Sequence, residues 1–434
     1  MKSAAPWAVA SMGLAGLLAG CFGSSTAAPP PGGSDASSMT VVTADGGSDA
    51  MTAEAGATGA GDSSTILDGG GDGATSATDV DSGCAGDGGP GTFTCTGSLA
   101  TPRIAPGAAV LSTGSVLVAG GWNATSQTVT SAEVYNPSTG TFAPTGGMTD
   151  AHLWAGWTAP WPVLSSGKVL VGGGLAASGA LLASVELYDP SAGTFSLTGS
   201  LGTPVIAFDL VSLSGSVLFI GGYSAVTGAA PTPGWEYTAG TSLVQSYSVT
   251  AAMVSPVGPV AEQRLFGCDV VLQSGDAVAI GGVVGTSATF ESNIEQYDPG
   301  TMQWTTVGTL ANGVTCGEAA FVLPNGQILL DGAALLDPTT WTTTTVSNPL
   351  TNTSVMLVQL ANGDVLGVGG EAGGMATAQA ERFSASTGQW AAVGSLHQPR
   401  STGRALLLPS GEVLVVGGSD ATGAALASAE LFHP

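Results

Sequence analysis

The chain has 434 residues, 68 of them glycine, with 9% charged residues and a formal net charge of −24. Few charges beside 44% hydrophobic residues supply enough apolar side chain for a large core. The acidic balance excludes a basic face for DNA, RNA or anionic lipid, so no nucleic-acid partner is expected.

Residues 1–20 read as an export signal. MKSAAPWAVASMGLAGLLAGC has Lys2, a short apolar core and small residues before Cys21. No later segment offers the roughly 20 apolar residues of a membrane-spanning helix. Leu18-Ala19-Gly20-Cys21 resembles the bacterial lipobox, which implies cleavage before Cys21 and lipidation of that residue. Phe22, rather than an aspartate, follows the cysteine, and by analogy with enteric sorting this points to the outer membrane. The expected location is the bacterial cell envelope, lipid-anchored. An ordinary signal peptide with an incidental cysteine is the alternative. Several acyl chains would hold the protein stably, each buried CH₂ contributing ~0.8 kcal/mol.

Residues 21–90 carry the lipidated cysteine and then low-complexity sequence such as TADGGSDAMTAEAGATGAGDSS, with acidic residues and no basic ones. Such a segment cannot bury enough apolar surface to offset its ordering entropy, and reads as a flexible acidic tether. Asp68, Asp72, Asp79 and Asp81 lack the alternate spacing of an EF-hand loop, so no metal is expected there.

From residue 91 to 434 the chain repeats at intervals of roughly 50 residues. The second apolar strand of each copy ends on glycine: VLVAGG (116–121), VLVGGG (169–174), VLFIGG (217–222), AVAIGG (277–282), ILLDG (328–332), VLGVGG (365–370) and VLVVGG (413–418). Each is preceded by a glycine-containing turn suited to a tight hairpin. Third strands follow as SAEVYNP, SVELYDP, PGWEYTA, NIEQYDP, AALLDP, QAERFSA and SAELFHP. Fourth-strand aromatics are Phe142, Phe195, Trp304, Trp341 and Trp390, with Tyr247 a weaker match in copy three. Met148, Leu201, Met253, Leu310 and Leu396 complete the same face six residues after the aromatic in most copies.

This pattern resembles the kelch repeat. The resemblance implies an all-β fold, a seven-bladed kelch-type β-propeller with four-stranded blades around a channel. The last copy, SAELFHP, stops at its third strand, whereas GTFTCTGSLATPR (91–103) is a fourth strand with no blade before it. The N-terminal strand is therefore expected to close the last blade, Phe93 beside Phe432, removing an open sheet edge. Cys84, Cys95, Cys268 and Cys316 form an even set in an oxidising compartment, with three possible connectivities. Cys84–Cys95 beside the closing strand and Cys268–Cys316 between the innermost strands of blades four and five are the favoured pairs.

A feature of nearly every repeat is structural. Glu133, Glu186, Glu236, Glu295, Glu381 and Glu430 precede the third-strand aromatic or its neighbour and are expected to accept hydrogen bonds from an adjoining turn. Function is sought where the symmetry breaks. Eleven residues before the first-turn glycine stand Arg103, Arg264 and Arg400 in copies one, four and seven, against Gly156, Pro204, Thr315 and Asn352 elsewhere. With Arg404 they are ligand-binding candidates at one channel mouth, where arginine gives bidentate contacts to a carboxylate or sialic-acid-like glycan. The alternative pairs them with acids such as Asp209, Asp269 or Glu262. Trp154 and Trp157, near Trp161 and His152, are candidates for stacking on sugars or for packing between blades. His397 is a further candidate.

No residue is assigned a catalytic role. His152, His397 and His433 lack HxH or HExxH spacing, and neither metal nor other cofactor is expected. No GxSxG elbow or phosphate-binding glycine loop occurs. The expected function is non-catalytic binding of a glycan or protein partner, by a monomer, through the loop-rich mouth. A carbohydrate-active enzyme of epimerase or lyase type, with Arg and an acid or His converging in one pocket, is the alternative. A purely structural envelope protein is the third reading.

Overall fold

The computed structural model describes residues 88–434, apart from 126, 156–159, 207, 228–235, 241–243, 252, 262–263, 265–266, 285–288, 312–318 and 348–350. The signal segment, Cys21, nearly all of the tether, Cys84, Trp157, Glu262 and Cys316 lie outside the described residues.

Seven antiparallel sheets follow one another in a propeller. Blade one comprises Gly107–Val110, Val116–Ala119, Ala132–Asn136 and Thr141–Thr145. Blade three comprises Asp209–Leu213, Ser216–Ile220, Val244–Ser248 and Met253–Val257, and blade four Val270–Val271, Ala277–Ile280, Asn293–Asp298 and Gln303–Thr309. Blade five runs through Ala320–Val322, Ile328–Leu330, Ala334–Asp337 and Thr342–Thr345; blade six through Met356–Gln359, Val365–Val368, Ala380–Ser384 and Gln389–Ala392. Second strands such as Val116–Ala119 and Val413–Val416 are buried throughout. A strand with a blade on either side needs apolar residues on both faces, which explains their unbroken Val and Leu.

Blade seven is composite. Arg404–Leu407, Val413–Val416 and Ala429–His433 come from the end of the chain, and Thr92–Cys95 from its beginning supplies the fourth strand. Phe93 lies opposite Phe432 in register, their rings 5.0 Å apart. The same cross-strand pair recurs as Tyr135 with Phe142, Tyr188 with Phe195, Tyr297 with Trp304 and Phe383 with Trp390, at 4.9–5.5 Å. Such directly opposed aromatics fix strand register as well as filling the core. Blades are also tied to their neighbours: the hydroxyls of Tyr135, Tyr188 and Tyr247 meet Thr96, Thr145 and Thr198 on the preceding outer strand, at 2.8–2.9 Å.

Blades two to five differ in detail from expectation. Blade two is three-stranded, Val169–Gly172, Ser184–Asp189 and Thr194–Ser200, with only a bridge between Val163 and Val169 at its inner position. Pro160 and Pro162 have no N–H to give a ladder there. Trp161 between them donates its backbone N–H to Ala108 of blade one instead, and its ring occupies the space that a side chain on Gly107 would need. In blade three the third strand is Val244–Ser248, not PGWEYTA; Glu236–Gly240 pairs with Tyr223–Thr227 in a separate ribbon. Tyr247 is thus the third-strand aromatic, opposite Val254, and buried Val260 takes the place expected of Met253, which is exposed. Trp341 lies in the turn before the fourth strand of blade five, at φ 55°, not on that strand. Cys268 precedes the innermost strand of blade four rather than lying on it.

Candidate functional site at the channel mouth

Each blade is approached by a segment that leads into its first strand. Arg103 ends one such segment and is fully buried. Its Nη1 donates to the carbonyls of Gly120 and Ser131, and its Nη2 to Ser131 Oγ and Glu133 Oε1. Glu133 in turn accepts the backbone N–H groups of Ala100 and Thr101. Arg400 repeats this with Gly417, Ser428 and Glu430, which also accepts from the N–H groups of His397 and Gln398. Arg264 does so with Gly281 and Glu295, at 3.0 and 2.6 Å. Glu133, Glu295 and Glu430 therefore serve the adjoining turn and bind the arginine as well, whereas Glu236 belongs to the separate ribbon of blade three.

These clips also join blades. The carbonyls of Arg103, Arg264 and Arg400 accept the N–H of Gly418, Gly222 and Gly370, the second glycine of the pair in the preceding blade. The first glycine abuts the same carbonyl: a Cβ on Gly221 or Gly369 would overlap it, and one on Gly417 would lie 2.9 Å away. The glycine pair is thus required by close approach as well as by its positive φ.

Arg103, Arg264 and Arg400 consequently do not converge on a pocket. Each lies at 0% exposure in its own blade, bonded to a glutamate of that blade, not to Asp209, Asp269 or the channel. Burial lowers the Arg103 and Arg400 guanidinium pKa, against the opposing pull of Glu133 and Glu430. His397 is held on Glu430 through its backbone N–H and Nδ1, beside the clip of blade seven. Cys95 ends the closing strand, and Cys268 is buried just before the first strand of blade four. Arg404 differs: half-buried on the innermost strand of blade seven, it donates Nε–H to Pro106 O, and burial lowers it to about 10.

Of the blades lacking the arginine, three and five also lose the glutamate, whereas blade six keeps Glu381 while its Asn352 donates to Gln379 Oε1. In blade three buried Val205, one residue beyond Pro204, takes the arginine's place with its carbonyl on Gly174 N–H, and neutral Gln245 stands for the glutamate, accepting from Gly202 N–H and donating to Thr203 O. Blade five has buried Ala334 at the glutamate position. In blade two His152 takes the arginine's place, four residues before the expected Gly156: Nδ1 is 2.8 Å from Gly173 O and Nε2 3.1 Å from Glu186 Oε1. Counting from the turn glycine missed it because this copy is four residues longer there. The signal that finds it is the distance to the glycine carbonyl, 17 residues in the arginine clips and 21 here.

Above the clips, the residue after each cation position bridges to the residue after the glycine pair. These bridges join Ile104 to Trp122, Leu153 to Leu175, Ile206 to Tyr223, Thr353 to Glu371 and Ser401 to Ser419. The start of a first strand and the end of a second lie at the same end of an antiparallel hairpin, so these pairs share one mouth. Over blades one to three they are apolar or aromatic, and Trp122 meets Trp154 edge-on at 5.1 Å, with Leu181 and Phe290 packed alongside. Over blades six and seven they are polar: Ser401 Oγ donates to Glu371 Oε1 and lies 3.0 Å from Ser419 Oγ. Among the tryptophan candidates, Trp154 is at the mouth, whereas Trp161 is packed away between blades one and two.

The wall of blades three to five carries carboxyl groups instead of the expected cations. Asp209 accepts the N–H of Gly267, and Asp269 that of Ile280. Asp331, at φ 45° just before Gly332, accepts that of Ala319. Burial first, and then the charge of Asp269, push Asp209 well above the carboxylate range. Burial raises Asp269 to about 7 against the influence of Arg264, and its Oδ2 meets no hydrogen-bond partner among the described residues.

The model of the Kelch motif matches residues 103–149, the span from the first clip arginine to the end of blade one. The chain thus carries a Kelch motif within a seven-bladed propeller, a fold commonly used for binding. No curated protein matches it.

Two outcomes follow from this geometry. Arg264→Ala leaves Glu295 buried without its cation and is expected to lower unfolding stability by about 3–5 kcal/mol in urea titration. A loss within 0.5 kcal/mol would mark the clip as dispensable. Asp269 has a folded pKa above its unfolded one, so its contribution is present at acidic pH and lost as pH rises through about 7. Asp269→Asn is therefore expected to raise the melting temperature more at about pH 8 than at about pH 4.

Proposed function

We propose that this protein is a non-catalytic binding propeller that takes a neutral glycan across its two-faced mouth. The observation that carries this reading is the division of the mouth layer. Trp122, Trp154 and Tyr223 lie on the apolar side, Ser401, Ser419 and Glu371 on the polar one. A sugar ring has the same two faces: C–H groups that pack on indole and hydroxyls that exchange hydrogen bonds. Acids on the wall and arginines withdrawn into clips favour a neutral ligand over the carboxylate that a basic mouth would attract.

The test is a panel of neutral and sialylated oligosaccharides presented to residues 88–434. Binding to neutral members is expected, weakened about tenfold, ~1.4 kcal/mol, by Trp122→Ala. Binding confined to sialylated members, or indifferent to Trp122, overturns the reading. The carbohydrate-active enzyme draws on one observation, an Asp269 carboxyl raised to about 7, the range of a general acid. Release of product from a bound oligosaccharide, abolished by Asp269→Asn, would favour it.

We also propose that Cys21 anchors the chain in the outer membrane, with residues 22–90 as spacer. What supports this is the lipobox-like LAGC after the apolar core and the acidic, aromatic-poor tether. On cell fractionation, Cys21→Ser is expected to leave the membrane fraction; retention there equal to wild type would exclude the anchor.

A further inference from the structure

The clip of blade two differs from the other three in having an imidazole where they have a guanidinium. His152 and Glu186 are both buried, at 2% and 0% exposure. Both ring nitrogens of His152 face oxygens that accept hydrogen bonds, the Gly173 carbonyl and the Glu186 carboxylate. Glu186 is ionised there: burial pushes its carboxyl up, but hydrogen bonds from His152 and the N–H groups of Thr149 and Asp150 outweigh it and hold it below the ordinary value. A neutral imidazole has one N–H and satisfies only one of the two oxygens. Both contacts together require the doubly protonated ring. The other charged group facing it among the described residues is Asp150, whose Oδ2 accepts the Ser184 hydroxyl at 2.6 Å. Arginine keeps its charge at any physiological pH, whereas histidine changes charge within that range.

The segment held by this ring leads directly into the mouth. Leu153 bridges Leu175, and Trp154 makes the edge contact with Trp122. A positive φ two residues beyond the cation position recurs at Ala105, Trp154, Ser354 and Thr402. At the cation position itself, among the described residues, it occurs only at His152, φ 41°. Two non-glycine residues in the left-handed region within three positions cost energy that surrounding contacts must offset. With the ring protonated, the clip supplies those contacts.

We propose that His152 is a proton-operated latch on the mouth: the imidazolium clips its segment to blade two and fixes Trp154 against Trp122, and loss of the proton releases Trp154. The latch rests on the glycan reading for its purpose, which is to make the aromatic side of the mouth firm at acidic pH and loose at alkaline pH. Its operation does not need a ligand.

The test follows tryptophan emission of the whole chain, and ring-nitrogen NMR signals of His152, from about pH 5 to about pH 9, the span that brackets imidazole titration. Both ring nitrogens are expected to be protonated at the acidic end. Emission is expected to shift as the proton leaves, and Trp154→Phe removes that shift. His152→Arg keeps the charge and is expected to give a flat emission profile with the acidic-form spectrum, and His152→Gln the released spectrum throughout. Should the Gln variant fail to fold, the Arg variant decides alone. A single neutral tautomer at the acidic end, or an Arg variant that titrates like wild type, overturns the latch. A shift that needs added zinc and is reversed by chelator also overturns it, because Asp150, His152 and Glu186 would then hold a metal instead of a proton. None of these readouts uses an oligosaccharide, so the latch and the glycan reading fail separately.

Discussion

A buried cation beside a glycine pair is the contact on which the rest of the ring depends. In blades one, four and seven an arginine binds its own blade through a glycine carbonyl and a glutamate, while its carbonyl takes an N–H of the preceding blade. Burying a guanidinium is costly unless every acceptor is well placed, and a lone buried carboxylate would be worse. The two halves therefore depend on each other. Where the arginine gives way to Val205, the carboxylate becomes the amide of Gln245, and where blade five has no acid its position is held by Ala334. Blade six departs from this pattern, keeping Glu381 where Asn352 replaces the arginine.

The clip explains why few basic residues are visible to a ligand. Three arginines are consumed in holding blades, and Arg404 is tied to Pro106 O across the junction of blades seven and one. Recognition is left to the layer above, where the glycine pair gives way to loops of differing length. There the repeat tolerates variation, because bridges such as Ile104 to Trp122 and Ser401 to Ser419 use backbone atoms and leave the side chains unconstrained. An apolar side over blades one to three and a polar side over blades six and seven result from the same backbone pattern filled differently. The Asp209, Asp269 and Asp331 wall fits the same logic, each carboxyl satisfying a backbone N–H of the neighbouring turn or strand.

The sequence by itself determined the repeat number, the order of strands and the ring closure. Each blade must bury both faces of its second strand, so VLVAGG and its six relatives are forced to be apolar and to end on glycine, and a period made of such strands survives in the text. Phe93 finding Phe432 follows likewise, since an orphan fourth strand and an incomplete blade have one way to meet. Tertiary structure alone decided where the side chains of the approach segments go. Arg103, Arg264 and Arg400 occur at one spacing, but the spacing cannot say whether a guanidinium turns toward the channel or into its blade; the depth of Glu133, Glu295 and Glu430 settles that, and depth is not periodic. His152 was hidden by a four-residue length change, and the ribbon Tyr223–Thr227 with Glu236–Gly240 displaced the third strand of blade three past the motif that imitates it. Insertions shift a count along the chain without moving the contact in space, so only the folded ring shows which residue fills the clip.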